Sequence, residues 1–391
     1  MRRRGAGVKI PAAPDAAHPH SRAEIDRASR HAALSLALTL PGDVLLYLLL
    51  PLHAAAFGVT LPEVGLLLAA NRLVRIVGYR WVARFYSQRG ACRAVTLAVC
   101  SAVLATLGYA TLSGGGPLLI ARLAWGLSFA ALNIANQAFP TALLEGAARR
   151  AGRARAIVAV GPMAALLAGA LIAERFGPRP VFAVLALVGV GALAFARRLP
   201  AQPEGWHAAG PRIARPEALD VWSFTMGLVL DGLFIFGLSL LAAQSVGAQA
   251  ALAAGAAMAL RYAAEIVLAP AGGALAHRFG ARPMLIALSL GAAGALALLG
   301  SGGVWLWIGA IATTLLRALL QPLPGPVVAE DHPGPGRVPA LARQATWRDI
   351  GAGTGPLLAG LLLPVAPAAA IYGVAALLLA VASVALGRRA R

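Results

Sequence analysis

Apolar residues occur along this chain in long runs that are separated by short polar breaks. A helix of about 20 residues crosses the roughly 30 Å hydrocarbon core of a bilayer, and each run is about that long or longer. The pattern therefore predicts an all-α integral membrane protein with twelve transmembrane helices. The runs cover 32–57, 62–84, 92–112, 117–139, 154–174, 178–198, 218–244, 250–275, 281–301, 303–325, 343–364 and 367–387.

The polar breaks divide the chain into a tail and two similar parts. Residues 1–31 are basic and rich in alanine and proline, which predicts a disordered cytoplasmic tail. The longest later break, 199–217, separates six runs from six and predicts a cytoplasmic linker. We expect an N-terminal six-helix bundle at 32–198, a C-terminal six-helix bundle at 218–387 and a cytoplasmic C-terminus at 388–391.

Composition and charge support a membrane protein. The chain is 59% hydrophobic and 13% charged, whereas a soluble domain is about 25% charged. The net charge of +19 comes from basic residues between the apolar runs rather than on one folded face, which argues against nucleic-acid binding. With the N-terminus inside, 25 basic residues lie in inside segments and two, Arg175 and Arg179, lie outside. This predicts a multi-pass protein of the bacterial inner (plasma) membrane with both termini in the cytoplasm.

Four features of the first half recur in the second half after 188 to 195 residues. The pairs are Asp43 and Asp231, Gly90 and Gly280, Arg122 and Arg317, and Gly161-Pro162 and Gly355-Pro356. Duplicated halves with a substrate site at their interface are typical of transporters. The repeat therefore predicts two pseudo-symmetric bundles with a site between them.

The segment 273–282 resembles the cytoplasmic loop motif of the major facilitator superfamily. It matches at Gly273, Arg278, Gly280 and Arg282, with His277 in place of the usual aspartate. A weaker copy at 83–90 keeps Arg89 and Gly90. The segment from Arg122 resembles the helix 4 motif of the family, and Gly351 to Gly360 resembles the glycine-proline motif of its exporters.

The resemblance implies a secondary transporter, not an enzyme, that works by alternating access around helices 1, 4, 7 and 10. It favours proton-coupled efflux of a small molecule, with protons as the coupling ion, no cofactor and a monomeric state. The loop motifs would close the cytoplasmic side. These gate residues are Arg89, Gly90, Gly273, His277, Arg278, Gly280 and Arg282.

Charged residues inside the apolar runs are candidates for the transport pathway, because a charge at the bilayer centre costs at least about 2.5 kcal/mol. Arg122, Arg348 and Asp349 lie near predicted helix ends, where long side chains can reach water. The remaining candidates are Asp43, Arg72, Arg75, Asp231, Arg261, Glu265 and Arg317.

Asp43 follows Pro41 and Gly42 near the predicted midplane. Burial there disfavours a charged carboxylate, so Asp43 is either a carrier of a proton or substrate cation, or the partner of an arginine. Asp231 has the same two interpretations.

Arg261 and Glu265 are four residues apart, which predicts an ion pair within one helix, although Glu265 is also a candidate for titration. Arg72 and Arg75 require an acidic partner or an anionic ligand. This keeps uptake of an organic anion open as an alternative, with Arg72 and either Arg261 or Arg75 as clamps.

Asn133, Asn136 and Gln137 share one face of helix 4 and either join helices or line a cavity, and we favour the cavity. The seven histidines have no repeated acid partner and the two cysteines have no metal-ligand spacing, so we expect neither a catalytic site nor a metal site. A non-transporting membrane sensor is the alternative from another functional class.

Overall fold

The computed structural model describes residues 21–203, 216–235, 237 and 250–388. Within these ranges the chain is helical and contains no strand. The long helices are α1 (Arg22–Leu52), α2 (Leu61–Arg89), α3 (Ala91–Thr111), α4 (Gly115–Ala138), α5 (Ala147–Phe176), α6 (Pro178–Ala196), α7 (Ala218–Met226, continued by a π-helical segment Gly227–Leu233), α8 (Ala250–Phe279), α9 (Ala281–Leu299), α10 (Gly303–Leu320), α11 (Arg337–Leu362) and α12 (Ala368–Arg388). Short helices occupy Ala54–Phe57, Pro324–Asp331 and Gly334–Gly336.

The described helices overlap the predicted apolar runs, but α1, α5 and α11 begin six or more residues earlier than predicted. The prediction of a disordered tail through residue 31 is wrong from Arg22 onward, because α1 begins there. Ser21 and Glu24 form a capping box, in which each side chain accepts a hydrogen bond from the other residue's backbone N–H. Ile25 and Ala28 are buried, so this first part of α1 is packed against the protein. The rest of the predicted tail, most of the predicted linker and residues 389–391 lie outside the described residues.

Eight helices in the described ranges are long and apolar enough to cross a membrane, judged by length and composition. The other four long helices are α2, α7, α8 and α11. Three of them, α2, α8 and α11, carry charges at mid-length, and α7 runs on into residues that are not described. Two of these charged helices, α2 and α11, pack against each other, and α8 packs against α5.

Large apolar side chains are exposed on the surface of this protein, whereas several charged side chains are buried. Leu187 is 75% exposed and Ile120 is 71% exposed, whereas Arg122 and Glu265 are 0% exposed. Apolar side chains outside and ion-paired side chains inside suit a protein surrounded by hydrocarbon.

Helices α1–α6 contact one another, and so do α7–α12; we call these sets the first half and the second half. The halves meet closely near the face where α1 begins and α12 ends, which we call the basic face. There a Cβ atom at Gly152 of α5 would lie 2.5 Å from the carbonyl oxygen of Ala269 in α8. Gly273 of α8 lies equally tightly against Ala148 of α5. The absence of side chains at Gly152 and Gly273 therefore lets the two backbones touch.

The start of α11 adds a second contact between the halves at the basic face. The guanidinium of Arg337 donates hydrogen bonds of 3.3 Å to the carbonyl oxygens of Thr141 and Ala142, which follow α4. Together with the α5–α8 contact, this joins the halves at the basic face.

Candidate functional site

A cavity of about 260 Å³ lies between the two halves. Side chains from α1, α2, α4, α5, α7, α8, α10 and α11 line it, so every helix of the predicted central set contributes. The lining combines aromatic rings and amides with charged groups. The charged lining residues are Asp43, Arg72, Arg75, Arg155, Asp231, Arg261, Arg317, Arg348 and Asp349.

Asp43 of α1 forms an ion pair with Arg122 of α4 at the edge of this cavity. The amide of Asn71 donates a 3.0 Å hydrogen bond to the same carboxylate. Arg122 also donates from Nε to the carbonyl oxygen of Leu67 at 3.0 Å. The expectation that Arg122 reaches water at a helix end is therefore wrong, because its partners lie inside the protein.

Asp231 lies in the π-helical segment of α7 and pairs with two arginines. Arg317 of α10 donates from Nη2 to Oδ1 at 2.6 Å, and Arg348 of α11 donates from Nε to Oδ2 at 2.8 Å. The Asp231–Arg317 pair occupies the positions that the sequence repeat matches to Asp43 and Arg122. In both halves, the carboxylate of the first helix is thus paired with an arginine of the fourth.

Glu265 of α8 is fully buried and accepts hydrogen bonds on both oxygens. Arg317 donates to Oε1 at 2.7 Å, and Arg155 of α5 donates from Nε to Oε2 at 2.8 Å. The predicted ion pair between Arg261 and Glu265 is wrong, because the arginines of α10 and α5 occupy both carboxylate oxygens. Arg261 instead lies over the ring of Tyr262, with its Cζ 4.5 Å from the ring centroid.

Arg75 of α2 forms an ion pair with Asp349 of α11. Its Nε lies 2.9 Å from Oδ2, and its Nη2 donates to Oδ1 at 3.1 Å. Like the Arg155–Glu265 pair, this ion pair joins the first half to the second. The expectation that Arg348 and Asp349 reach water from a helix end is also wrong, since both make ion pairs inside the site.

The two ion pairs between the halves lie at positions that the sequence repeat matches, but matched positions carry opposite charges. Glu265 follows Arg75 by 190 residues, and Asp349 follows Arg155 by 194 residues, which are the spacings of the sequence repeat. In both pairs, the first half supplies the arginine and the second half the carboxylate.

Arg72 and Arg261 differ from the other arginines of the site. Both line the cavity, yet neither forms an ion pair with a carboxylate in the described parts of the chain, although Arg261 lies close enough to Glu265 for an electrostatic interaction. The Nε atom of Arg261 is buried and has no hydrogen-bond partner there. The sequence interpretation that offered Arg75 as an alternative clamp is not supported by the geometry, because Asp349 already neutralises Arg75.

The amide stripe of α4 faces cavities, which is the favoured one of its two interpretations. Asn133 and Gln137 line the main cavity, and all three amides line a second cavity of about 50 Å³. Asn133 also donates a 3.4 Å hydrogen bond to the hydroxyl of Tyr79. In the described residues, the Oδ1 atom of Asn136 is buried without a hydrogen-bond partner.

The residues of the loop motif lie at the basic face. Gly90 and Gly280 end α2 and α8 with φ values of +83° and +91°, which favour glycine. Arg282 pairs with Asp331 within the second half, and Arg278 lies over the ring of Phe279. Arg89 and His277 make no ion pair within the described ranges. Gly273 contacts the other half directly, through Ala148.

Arg155 was not among the candidates that the sequence suggested, since it was assigned to a short basic loop. The repeat nevertheless contained a signal for it, because the 194-residue spacing that relates Gly161 to Gly355 also relates Arg155 to Asp349. The described residues include no group of three or more His, Cys, Asp or Glu side chains that could hold a metal ion.

No family model matches the sequence, and a search of curated proteins finds no match. Solved structures do match over nearly the whole chain. The human organic anion transporter MFSD10 has a TM-score of 0.74 at 16% identity, covering 93% of this chain and 99% of its own. The E. coli fucose:proton symporter has a TM-score of 0.71 at 16% identity, covering 94% and 98%. The proton:xylose symporter of the major facilitator superfamily has a TM-score of 0.72 at 13% identity, covering 94% and 96%. The chain therefore has the fold of the major facilitator superfamily of membrane transporters.

Proposed function

We propose that this protein is a secondary transporter that moves a small organic solute across the bacterial inner (plasma) membrane by alternating access. In this proposal the chain crosses the membrane twelve times in two six-helix bundles, works as a monomer and has both termini in the cytoplasm. The basic face is then the cytoplasmic face. The observation that carries the proposal is a charged cavity between two halves that are joined near the basic face.

A cavity of this kind suits alternating access, because the halves meet mainly along two helix pairs, α5 with α8 and α2 with α11. The α5–α8 and α2–α11 interfaces each contain one ion pair between the halves. Separation of these interfaces would open the cavity toward the basic face, while the buried pairs within each half stay intact.

Thiol labelling tests alternating access directly. We suggest a background in which Cys92 and Cys100 are replaced by serine, with one new cysteine at Ala345, which lines the cavity. In proteoliposomes, a membrane-impermeant thiol reagent should reach this position from either side, and a transported solute should change the two labelling rates in opposite directions. Labelling from one side only, unchanged by any solute, together with no flux, would favour the non-transporting sensor.

Proton-coupled efflux is the proposed direction and coupling, and Asp43 and Asp231 are its proposed proton sites. Its support is the exporter-like glycine-proline motif and the position of both carboxylates at the cavity. The ion pair that each carboxylate makes with an arginine also supports a purely structural role for both. Proton-driven flux that survives Asp43→Asn would remove the carrier role of Asp43. Solute accumulation in cells lacking the protein would support efflux, and reduced accumulation would support uptake.

Uptake of an organic anion is the second candidate function. The specific observation in its favour is the pair of cavity arginines, Arg72 and Arg261, that form no ion pair with a carboxylate in the described residues.

A further inference from the structure

The charges around the cavity do not balance. Seven arginines and four carboxylates lie in or beside it, which leaves an excess of three positive charges. The arginines are Arg72, Arg75, Arg122, Arg155, Arg261, Arg317 and Arg348, and the carboxylates are Asp43, Asp231, Glu265 and Asp349. All four carboxylates are already engaged by arginines.

No further acid among the described residues lines the cavity, and the buried Asp220 pairs with Arg343 near the start of α7. Two acidic residues lie outside the described ranges, Asp15 in the N-terminal tail and Glu204 in the linker between the halves. The undescribed stretch between α7 and α8 contains no acidic residue. Arg72 and Arg261 are half-buried, and an arginine withdrawn from water without a counter-charge is unfavourable, so a bound anion would stabilise this site.

Arg72 and Arg261, which make no ion pair within the described ranges, lie at comparable distances from the basic face in the two halves. Arg72 lies one turn before Arg75 in α2, and Arg261 lies one turn before Glu265 in α8. Both helices run toward the basic face, so Arg72 and Arg261 lie about one turn farther from that face than the ion pairs that join the halves. The two ion pairs between the halves therefore lie on the side of the basic face, and Arg72 and Arg261 lie farther from that face, one in each half.

We propose that the cavity binds a small organic dianion, with one anionic group held by Arg72 and the other by Arg261. This inference rests on the proposed function, because it names the substrate class of that transporter. Guanidinium groups bind carboxylate and phosphate groups through two parallel hydrogen bonds, which makes them selective for such ends. The aromatic rings of Tyr79, Phe129 and Tyr262 supply apolar surface for the carbon chain between the two ends. A solute that bridges both halves would also link its own binding to the movement of the halves.

Ligand-dependent melting of the purified full-length chain tests the inference. The probes are linear dicarboxylates from malonate to adipate, their monomethyl esters and their neutral diamides, measured in zwitterionic lipid. We expect at least one dicarboxylate to raise the melting temperature, its monoester to bind at least about tenfold more weakly, and its diamide to have no effect. Equal effects of dicarboxylate and diamide, or no effect of any dicarboxylate, would overturn the proposal.

Variants identify the residues responsible. Arg72→Gln and Arg261→Gln should each weaken dicarboxylate binding by at least about tenfold. Arg80→Gln and Arg388→Gln are control variants, because both arginines are exposed, neither lines the cavity and one lies in each half, and they should bind as the unmodified chain does. Equal loss in the controls would contradict a role for Arg72 and Arg261.

Melting without ligand separates a binding role from a structural one. Removal of a half-buried charge that makes no ion pair with the described residues should leave the melting temperature of Arg72→Gln and Arg261→Gln unchanged or higher. Arg75→Gln should lower it, because that change leaves Asp349 without its partner. A lower melting temperature in all three variants would assign Arg72 and Arg261 a structural role instead.

Two further measurements separate the possible failures. If the same stabilisation comes from an anionic lipid and not from soluble dicarboxylates, a lipid headgroup is the ligand and the dianion proposal is wrong. If a neutral or cationic solute is transported while dicarboxylates neither bind nor compete, the substrate class is wrong and the transporter stands. Absence of flux and of changed thiol labelling with every solute would contradict the proposed function itself.

Discussion

Arg122 is fully buried, and Asp43 and the carbonyl oxygen of Leu67 hold its guanidinium. Asp231, Glu265 and Asp349 are engaged in the same way by arginines of neighbouring helices. At the scale of single residues, the interior charges were recognisable from the sequence, because a charge inside an apolar run has few tolerable explanations. Their partners were not recognisable. Glu265 pairs with residues of α5 and α10 rather than with Arg261 four positions away, because that choice depends on which helix faces it.

Replacement of one member of the Asp43–Arg122 pair should be strongly destabilising. Asp43→Asn leaves a buried guanidinium without its counter-charge, and we expect a loss of about 3–5 kcal/mol in the free energy of unfolding. The double variant Asp43→Asn, Arg122→Gln should lose less than the sum of the single variants. Denaturant unfolding in mixed micelles measures all three values, and additive losses would show that the pair is not coupled.

Glu217, which lies at the basic face, makes a pH-dependent contribution to the stability of the folded protein. Burial opposes its charge, yet the hydrogen bond with His332 and the nearby guanidinium of Arg343 lower the pKa of Glu217 below its ordinary value. A lowered pKa in the folded state stabilises the protein above the unfolded pKa of about 4.3, and this contribution is lost as the pH falls through the folded pKa. The melting temperature of Glu217→Gln should therefore be below that of the unmodified chain at pH 7, with the difference shrinking below about pH 4. A difference independent of pH would contradict this assignment.

At the scale of helices, α7 and α11 approach each other through glycine. A Cβ atom at Gly355 would lie 2.5 Å from the Cα atom of Gly232 and from the carbonyl oxygen of Leu228. The corresponding Gly161 of α5 lies tightly against Ala37 of α1. The glycine-proline motif thus has a local physical explanation in both halves, because it permits close contact between two helix backbones. Most helix bounds were predictable from apolar runs, whereas the start of α1 was not, since its first turns are polar and depend on a capping box.

Gly355 and Gly360 allow a matched test of this close contact. Gly355→Ala should destabilise the protein by about 1–3 kcal/mol, because the new methyl group overlaps the backbone of α7. Gly360→Ala should be neutral or stabilising by up to about 1 kcal/mol, because no atom lies within 4 Å of the new methyl group and alanine favours a helix. Unfolding free energies of both variants decide the matter, and similar losses would indicate a helix-propensity effect rather than a steric one.

At the scale of the whole molecule, two ion pairs of reversed polarity join the halves. The first half contributes Arg75 and Arg155, and the second half contributes Asp349 and Glu265. An exact repeat would give each half one cation and one anion. Here the first half instead supplies the cation, and the second half the anion, at both interfaces. These pairs lie on the cavity side of the α5–α8 backbone contact at the basic face.

Charge exchange at Arg75 and Asp349 tests whether this ion pair keeps the basic face closed. Arg75→Glu and Asp349→Arg each place like charges together, so each should raise thiol labelling of a cavity cysteine from the basic face. The double variant Arg75→Glu, Asp349→Arg restores opposite charges and should return labelling toward the original rate. Arg80→Glu, on the exposed side of α2, is the control and should not change labelling. Failure of the double variant to recover would mean that the pair has no specific role in closure.

The amino-acid sequence by itself determined the helical architecture, the repeat and the identity of most buried charges, because these depend on local hydropathy, on spacing along the chain and on the cost of charge in hydrocarbon. Tertiary structure alone decided which charges neutralise one another. Helix 8 can present Glu265 to Arg261, to Arg155 or to Arg317, and only the rotation and position of its neighbours select the last two. For the same reason the sequence could not tell Arg75 from Arg72. The nearby carboxylate of Asp349 neutralises Arg75, and Arg72 is left facing the cavity.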